Sequence, residues 1–450
     1  MKRSPISIMS LIIMLSIGCF LSSCTTAPKT EQPKNADIII AHNSAAAHTS
    51  FYEMHLGLFS TYMFPGVPYK GEHQNGNGQY MWGATDWADG SAVKSLDELA
   101  DNFDAEDFAA TAESMRAQYI IFTTSHANMN VLFPSEVMKH YLPGHSSNRD
   151  VLRDLIKAVK AKNIRVMFYI HPSDGHDFSK EDKDLVGWND EEPYKRWNDF
   201  INEYYAELVD RYGKDVSGYY IDGGLPNKYV DAARLRKTIL SRQPGAWLIQ
   251  NGGLDPACVD YGSFEAVEHP YPAANWAVYK TITGLWWAMK NPVVFCPELA
   301  YRYTVLQASV RDRQGGGVGW AFGPHPGGRW ETGVKSFCER LGLLIDKTGP
   351  SLFGTRPSKA YITLNKQPLI GLPYVATESA DGKKTYLHQF LPPRTQKLEL
   401  PAPADGRKFT SAHLLNNNQK VDVQQTDNSV TLTLKQGDQW DDVDTIIVLE

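Results

Sequence analysis

Residues 194–250 contain four segments that decide the fold class of this chain. They are 194–212 (YKRWNDFINEYYAELVDRY), 216–221 (VSGYYI), 230–241 (VDAARLRKTILS) and 246–250 (AWLIQ). The first and third have the length and the mixed apolar and charged pattern of amphipathic helices, and the other two are short apolar runs that favour strands. Helices that alternate with short strands predict βα units around a parallel sheet.

The same alternation extends in both directions, from about residue 50 to residue 350. Asp104 and Asn148 are candidate N-caps of two earlier helices, because each precedes a segment with helical spacing of apolar residues. We count eight strands in this region, and their number and order predict a TIM-type (β/α)8 barrel. The predicted strands are 54–59, 119–123, 164–170, 216–221, 246–250, 264–267, 293–295 and 318–322.

Beyond Pro350 the pattern changes. Short runs of alternating or continuous apolar residues are separated by turn-forming clusters such as 380–383 (ADGK) and 416–418 (NNN). Such runs without helical periodicity predict an antiparallel β-sandwich. We therefore expect the barrel to occupy residues 49–353 and the β-sandwich to occupy residues 354–450.

The N-terminal residues resemble a bacterial lipoprotein signal. Lys2 and Arg3 precede the apolar run 6–21, and the run ends in LSSC with Cys24. This ending resembles the lipobox, in which the cysteine is acylated; a plain signal peptide with an incidental cysteine is the alternative. We expect a signal peptide at 1–24, a polar tether at 25–48, and lipid anchoring in the cell envelope, at the outer membrane facing the periplasm or at the cell surface.

Composition excludes several classes of function. The net charge of −6 argues against a nucleic-acid partner, and the chain has no GxGxxG or P-loop motif that would hold a nucleotide cofactor. Cys258, Cys296 and Cys338 are too widely spaced to suggest a disulfide framework or a CxxC metal site. The segment 171–177 (HPSDGHD) has ligand-like residues, but its spacing matches no zinc or calcium pattern. We therefore expect no cofactor and no metal.

Polar residues follow most of the predicted strands at their carboxyl ends, where a TIM barrel has its active site. Together they favour hydrolysis of a polar substrate. Asp222, which ends the aromatic run YYI and precedes two glycines, is the most informative of them, although an aspartate there also orders a loop. In strand order the candidates are His55, His126, His171, Asp222, Asn251, Glu265, Glu298 and Trp320.

Several of these strings resemble the α-L-fucosidases of glycoside hydrolase family 29. In that family a helix ends in Tyr-Gly and the next strand ends in Asp-Gly, as in 212–223 of this chain. The segment 260–265 (DYGSFE) is similar to a family segment ending in glutamate, and 54–57 (MHLG) is similar to its His-Trp-Gly. The segment 122–126 (FTTSH) lies where the family has two histidines and keeps one.

The resemblance implies a retaining mechanism, with Asp222 as nucleophile and Glu265 as acid/base. Glu268, Glu298 and His126 are the alternative acids. His55 and His126 would donate hydrogen bonds to sugar hydroxyls. His171 and Asn251 are weaker candidates for sugar contacts, and Trp320 is our candidate for a stacking wall.

The expected substrate is a glycan with a terminal α-L-fucosyl or related sugar. Because the family motifs are altered, an α-L-galactoside, a sulfated fucoside and an internal linkage of a fucan stay open. A non-catalytic surface glycan-binding lipoprotein on a decayed barrel is the alternative from another class. The sequence does not indicate an oligomeric state.

Overall fold

The computed structural model describes residues 51, 54–64, 85–126, 128–252, 258–265, 276–282, 286–288, 294–310, 317–364 and 371–450. The predicted signal peptide and tether, Cys24 and Glu268 lie outside the described residues. Among the helices of the described residues, none has both the length and the apolar character needed to cross a membrane.

Eight parallel strands close into a barrel, which confirms the predicted fold class. Closure is made by β8 and β1, where Val318 pairs with Leu56. The strands are β1 (Leu56–Ser60), β2 (Tyr119–Thr123), β3 (Arg165–Ile170), β4 (Gly218–Ile221), β5 (Trp247–Asn251), β6 (Tyr261–Glu265), β7 (Trp276–Thr281) and β8 (Val318–Ala321).

Helices surround this barrel and bury their apolar faces against it. The helices are α1 (Leu96–Asp101), α2 (Ala105–Ser114), α3 (Glu136–Tyr141), α4 (Val151–Ala161), α5 (Lys180–Val186), α6 (Lys195–Tyr212), α7 (Ala232–Leu240), α8 (Pro297–Ser309) and α9 (Val334–Leu352). Asp104 caps α2 as predicted, since its side chain accepts a hydrogen bond from the Asp107 N–H. Asn148 does not cap α4, because Asp150 takes that position and the Asn148 amide donates to Asp97 instead.

The seventh strand differs from the prediction. Of the expected strand at 293–295, residues 294 and 295 are described and do not form a strand, and residue 293 lies outside the described residues. The seventh strand of the barrel is β7, which pairs with β6 through Tyr279 and Glu265 and with β8 through Val278 and Val318. Its sequence, WAVYKT, contains a lysine, which weakens the signal of a buried strand. Lys280 is accommodated because its ammonium group lies 5.4 Å from the ring centres of Phe295 and Tyr303.

The C-terminal region is an antiparallel β-domain, as predicted. Its strands form one eight-stranded sheet in the order β12-β15-β14-β13-β16-β11-β10-β9. Residues from both ends of this sheet, such as Leu398 on β12 and Ala376 on β10, belong to one core, so the sheet folds over itself. The strands are β9 (Thr355–Pro357), β10 (Tyr374–Ser379), β11 (Thr385–Gln389), β12 (Lys397–Pro401), β13 (Ala412–Leu414), β14 (Lys420–Gln425), β15 (Ser429–Thr433) and β16 (Thr445–Leu449).

Candidate active site

The carboxyl ends of β2 to β6 bring five of the predicted residues together at one barrel mouth. Side chains of a strand alternate between the barrel interior and the surrounding helices. Tyr169 and Tyr220 belong to the interior cluster, so the residues two positions later, His171 and Asp222, point to the interior of the mouth. The five residues are His126, His171, Asp222, Asn251 and Glu265.

Asp222 is held by three hydrogen bonds. Its Oδ1 accepts from the Gly223 N–H at 2.7 Å and from Asn251 Nδ2 at 3.1 Å, and its Oδ2 accepts from the Tyr169 hydroxyl at 2.8 Å. Burial acts to raise the pKa of Asp222, but the imidazoles of His171 and His126 and the bonds from Tyr169 and Gly223 outweigh it and lower the pKa. The side chain is therefore an ionised carboxylate, as a nucleophile must be.

Glu265 has the opposite protonation tendency. It is the last residue of β6, and its Oε1 accepts a hydrogen bond from Asn251 Nδ2 at 2.6 Å. Burial and the negative charge of Asp222 raise the pKa of Glu265 to about 7. A carboxyl group with this pKa is protonated in about half of the molecules at pH 7 and can release its proton during a reaction, as a general acid requires.

Asn251 connects the two carboxyl groups. Its Nδ2 carries two hydrogens and donates to Asp222 at 3.1 Å and to Glu265 at 2.6 Å. The two acceptor oxygens therefore lie no farther apart than the sum of these bonds, which is compatible with the roughly 5–5.5 Å between the carboxyl groups of retaining glycosidases. An amide that bridges both groups also fixes their relative orientation.

His126 and His171 lie beside Asp222 and share one buried carboxylate. Their rings are stacked with centroids 5.0 Å apart. His126 Nδ1 is 3.2 Å from each oxygen of Asp174, and His171 Nδ1 is 3.1 Å from Asp174 Oδ1. Within the described part of the chain, these three side chains form the group whose donor atoms are close enough to hold a metal ion.

Tyr169 was not among the candidates from the sequence, and Asp174 was considered only as part of the segment 171–177, although both belong to this cluster. Tyr169 was available from the alternation of β3, since it lies two positions before His171. Asp174 contacts His126, which is 48 positions away in the chain, and no local pattern predicts that contact. Gly223 has a φ of 97°, and a Cβ there would lie 2.1 Å from Ser173 Oγ, so the turn after Asp222 requires glycine.

The prediction for His55 is wrong. His55 precedes β1 and therefore lies at its amino end, opposite to the mouth. Burial lowers the pKa of its imidazole to about 4, and its neighbours there are Thr355 and Arg356 of β9. At the carboxyl end of β1 the corresponding position is Thr61, whose hydroxyl lies 3.1 Å from that of Thr123.

Trp320 and Glu298 are also away from the mouth, which corrects both predictions. Trp320 is fully buried between β8 and the helices, where its Nε1 donates to Thr304 of α8 and its ring packs against Phe337 of α9. It cannot stack on a sugar. Glu298 lies in the first turn of α8 and accepts a hydrogen bond from Arg340 Nε at 2.8 Å, which lowers the pKa of Glu298. Glu298 therefore forms an ion pair between α8 and α9 and is not an alternative acid.

Comparison with known proteins agrees with this geometry. The profile of the family described as Alpha-L-fucosidase matches residues 53–297, which is more than half of the 450 residues. The chain belongs to the alpha-L-fucosidase family. It is therefore a glycoside hydrolase, and the matched region contains both Asp222 and Glu265. The comparison with curated proteins found no significant match.

Solved alpha-L-fucosidases share the fold of this family member. An enzyme of family 29 from Bacteroides thetaiotaomicron has a TM-score of 0.66 at 20% identity, over 90% of this chain and 96% of that one. Isoenzyme 1 from Paenibacillus thiaminolyticus has a TM-score of 0.64 at 18% identity, over 89% and 98%. The enzyme from Vibrio sp. strain EJY3 has a TM-score of 0.67 at 16% identity, over 91% and 73%. These likenesses cover the barrel and the β-domain.

Proposed function

We propose that this protein is a retaining exo-glycosidase that removes terminal α-L-fucosyl or closely related sugars from glycans. The observation that carries the proposal is the bridge from Asn251 to Asp222 and Glu265. It joins a carboxylate whose pKa is lowered to a carboxyl whose pKa is raised to about 7. A retaining glycosidase needs an ionised carboxylate and a proton-donating carboxyl group close to each other.

The reaction takes place in two displacements. Asp222 attacks the anomeric carbon and forms a covalent ester with the sugar, while the glycosidic bond breaks and Glu265 transfers its proton to the leaving oxygen. A water molecule then attacks the same carbon, Glu265 takes a proton from that water, and Asp222 is released. Tyr169 and Gly223 hold Asp222 in place during both steps.

The solved relatives support this mechanism. The structure from Bacteroides thetaiotaomicron is described as a trapped covalent intermediate, obtained with 2-fluoro-fucosyl fluoride in a variant in which a glutamate is replaced by glutamine. A covalent intermediate and a glutamate whose replacement traps it are what the pair Asp222 and Glu265 would produce. The same family membership favours fucose as the sugar. The altered motifs at 54–57 and 122–126 keep sulfated fucosides, α-L-galactosides and internal fucan linkages among the substrates to be tested.

Hydrolysis of a panel of aryl α-L-fucosides, α-L-galactosides and sulfated fucans tests the proposal. Asp222→Asn should reduce turnover by about 10³-fold or more. Glu265→Gln should reduce it by about 10²–10⁴-fold on substrates with poor leaving groups. Glu298→Gln makes the same chemical change away from the mouth and should leave turnover unchanged.

Two outcomes would reject this assignment. Full turnover in Asp222→Asn would mean that another group attacks the sugar. Binding of fucosylated glycans without any turnover would instead favour the non-catalytic glycan-binding function.

We also propose that the protein is lipid-anchored in the cell envelope through Cys24. This proposal rests on the sequence around Cys24, with Lys2, Arg3 and the apolar run 6–21 before it. Metabolic labelling with a radioactive fatty acid should label the wild-type protein in the membrane fraction and not the Cys24→Ala variant. Labelling that persists in that variant would place the lipid elsewhere.

A further inference from the structure

His126, His171 and Asp174 form a compact set of donor atoms that the double displacement does not use directly. His126 follows β2, and His171 and Asp174 follow β3, so the barrel brings the three side chains together. The Asp174 side chain is completely buried, and the side chains of His126 and His171 are 18% and 10% exposed. Each contributes one donor atom, and all three atoms lie within 4.8 Å of one another.

The spacing of these atoms suits a metal ion. The nitrogen–oxygen distances are 3.2 Å for His126 and 3.1 Å for His171, both to Oδ1 of Asp174. Two ligand atoms that are each about 2.1 Å from one ion, at an angle of roughly 90–110°, are separated by about 3.0–3.4 Å. The two nitrogen–oxygen separations therefore match those of ligands on one ion, and the donor nitrogens of the two imidazoles lie within 4.8 Å of each other.

The electrostatic surroundings also favour a cation. The carboxyl groups of Asp174 and Asp222 both lie close to the two imidazoles. Two imidazoles and one carboxylate are the ligands that zinc and other divalent transition metals prefer, whereas magnesium and calcium favour oxygen ligands.

We propose that His126, His171 and Asp174 bind one divalent transition-metal ion of the zinc class at the barrel mouth. Three ligands from the described residues leave one position of a four-coordinate ion for a further ligand, and His126 and His171 border Asp222. A hydroxyl group of the bound sugar is the ligand suited to that position, because the site adjoins the place where the sugar must lie for Asp222 to attack it. The ion would orient the sugar, and the bonds to the anomeric carbon would still be made and broken by Asp222 and Glu265.

The competing explanation is that Asp174 only accepts a hydrogen bond from His126 and forms an ion pair with His171, and so fixes the orientation of the two imidazoles. Metal binding separates the two explanations, since hydrogen bonding alone predicts no stoichiometric ion. It can be measured without substrate, so its result is independent of whether the protein hydrolyses fucosides.

The full-length chain, treated with a chelator and dialysed, should be titrated calorimetrically with Zn²⁺ and Mn²⁺. Metal content after gel filtration gives the stoichiometry, and the visible spectrum with Co²⁺ reports the ligands. We expect about one ion per chain. Losing a residue that merely hydrogen-bonds to a metal ligand already weakens metal affinity by about 10–100-fold, so Asp174→Asn and His171→Ala should weaken it by about 100-fold or more.

His140→Ala is the matched control, because His140 is exposed on α3 and should not change binding. Asp174→Asn keeps the shape of the side chain, and its thermal unfolding shows whether it is folded. If the wild-type protein binds none of Zn²⁺, Mn²⁺ and Co²⁺ at one ion per chain, the proposal is overturned. Equal affinity in the wild type and in folded Asp174→Asn would overturn it as well.

Discussion

Asp222 and Glu265 share the amide of Asn251, yet their surroundings move their pKa values in opposite directions. Burial acts on both. Asp222 has two imidazoles beside it and donors from Tyr169 and Gly223, which favour its charge, whereas Glu265 faces the negative charge of Asp222. At the scale of single residues, the difference between nucleophile and acid is therefore a difference of neighbours and not of residue type.

The pH dependence of hydrolysis should show whether Glu265 is the general acid. With its pKa raised to about 7, Glu265 carries its proton below that pH and loses it above. We expect kcat/KM for a fucoside with a poor leaving group to fall tenfold per pH unit on the alkaline side. An aryl fucoside whose leaving group needs no proton should lack this fall. If both substrates show the same alkaline fall, Glu265 is not the acid.

Tyr169→Phe should weaken catalysis without unfolding the protein. It removes the donor 2.8 Å from Asp222 Oδ2 and keeps the ring. A hydrogen bond to a charged group is worth about 1.5–3 kcal/mol, which corresponds to a decrease in kcat/KM of about 10–100-fold. Tyr219→Phe is the control, since that hydroxyl donates to Gln243 on the helix side of β4. Equal losses in both variants would argue for a general structural effect.

At the scale of elements, the barrel interior depends on small residues placed opposite large ones. Gly57 of β1 pairs with Tyr119 of β2, and Gly319 of β8 pairs with Tyr279 of β7. A Cβ at Gly57 would lie 2.3 Å from the Tyr119 ring, and one at Gly319 would lie 2.4 Å from the Tyr279 ring. The tyrosine rings therefore occupy the space that side chains at the two glycines would fill.

Gly57→Ala should lower the free energy of unfolding by about 1–3 kcal/mol, because the added methyl group overpacks the interior against Tyr119. Gly245→Ala introduces the same group before β5, where a Cβ meets no atom within 4 Å, and should cause no loss. Urea denaturation of both variants measures the difference. Equal stability of the two would show that the Tyr119 ring moves aside at little cost.

At the scale of the whole molecule, α8 joins the barrel to the β-domain through a buried polar cluster. Asp444 Oδ2 accepts from the Tyr301 hydroxyl at 2.6 Å and lies 2.7 Å from His388 Nδ1. Arg302 donates to the backbone carbonyl groups of Asp442 and Val443. The side chains of His388 and Asp444 are 0% and 2% exposed, so water cannot replace their bonds.

Asp444→Ala should destabilise the protein by about 1–3 kcal/mol for each buried donor that loses its acceptor. Asp442→Ala is the matched control, because the side chain of Asp442 is exposed and Arg302 contacts its backbone carbonyl. Thermal unfolding compares the two, and kcat/KM of the folded protein should not change in either. A loss of activity at unchanged stability would mean that this junction communicates with the barrel mouth.

The fold class and the place of Asp222 at a strand end were both predictable from the amino-acid sequence. Alternating helical and strand periodicity is a local property, and it predicted the barrel and the β-domain. Asp222 was accessible to the same reasoning because it ends an apolar strand and precedes glycine. The local signal failed at β7, where Lys280 interrupts the apolar pattern and is accommodated by the rings of Phe295 and Tyr303.

The directions and contacts of the other side chains depend on the packing of the folded chain. His55 lies at the end of the barrel opposite to the mouth, because β1 begins after it. Trp320 faces the helices, because its neighbours on β8 face inward. Glu298 pairs with Arg340, 42 positions away. Asp174 meets His126 because β2 and β3 are adjacent. Strand register and contacts between distant segments set these outcomes, and neither is encoded in local periodicity.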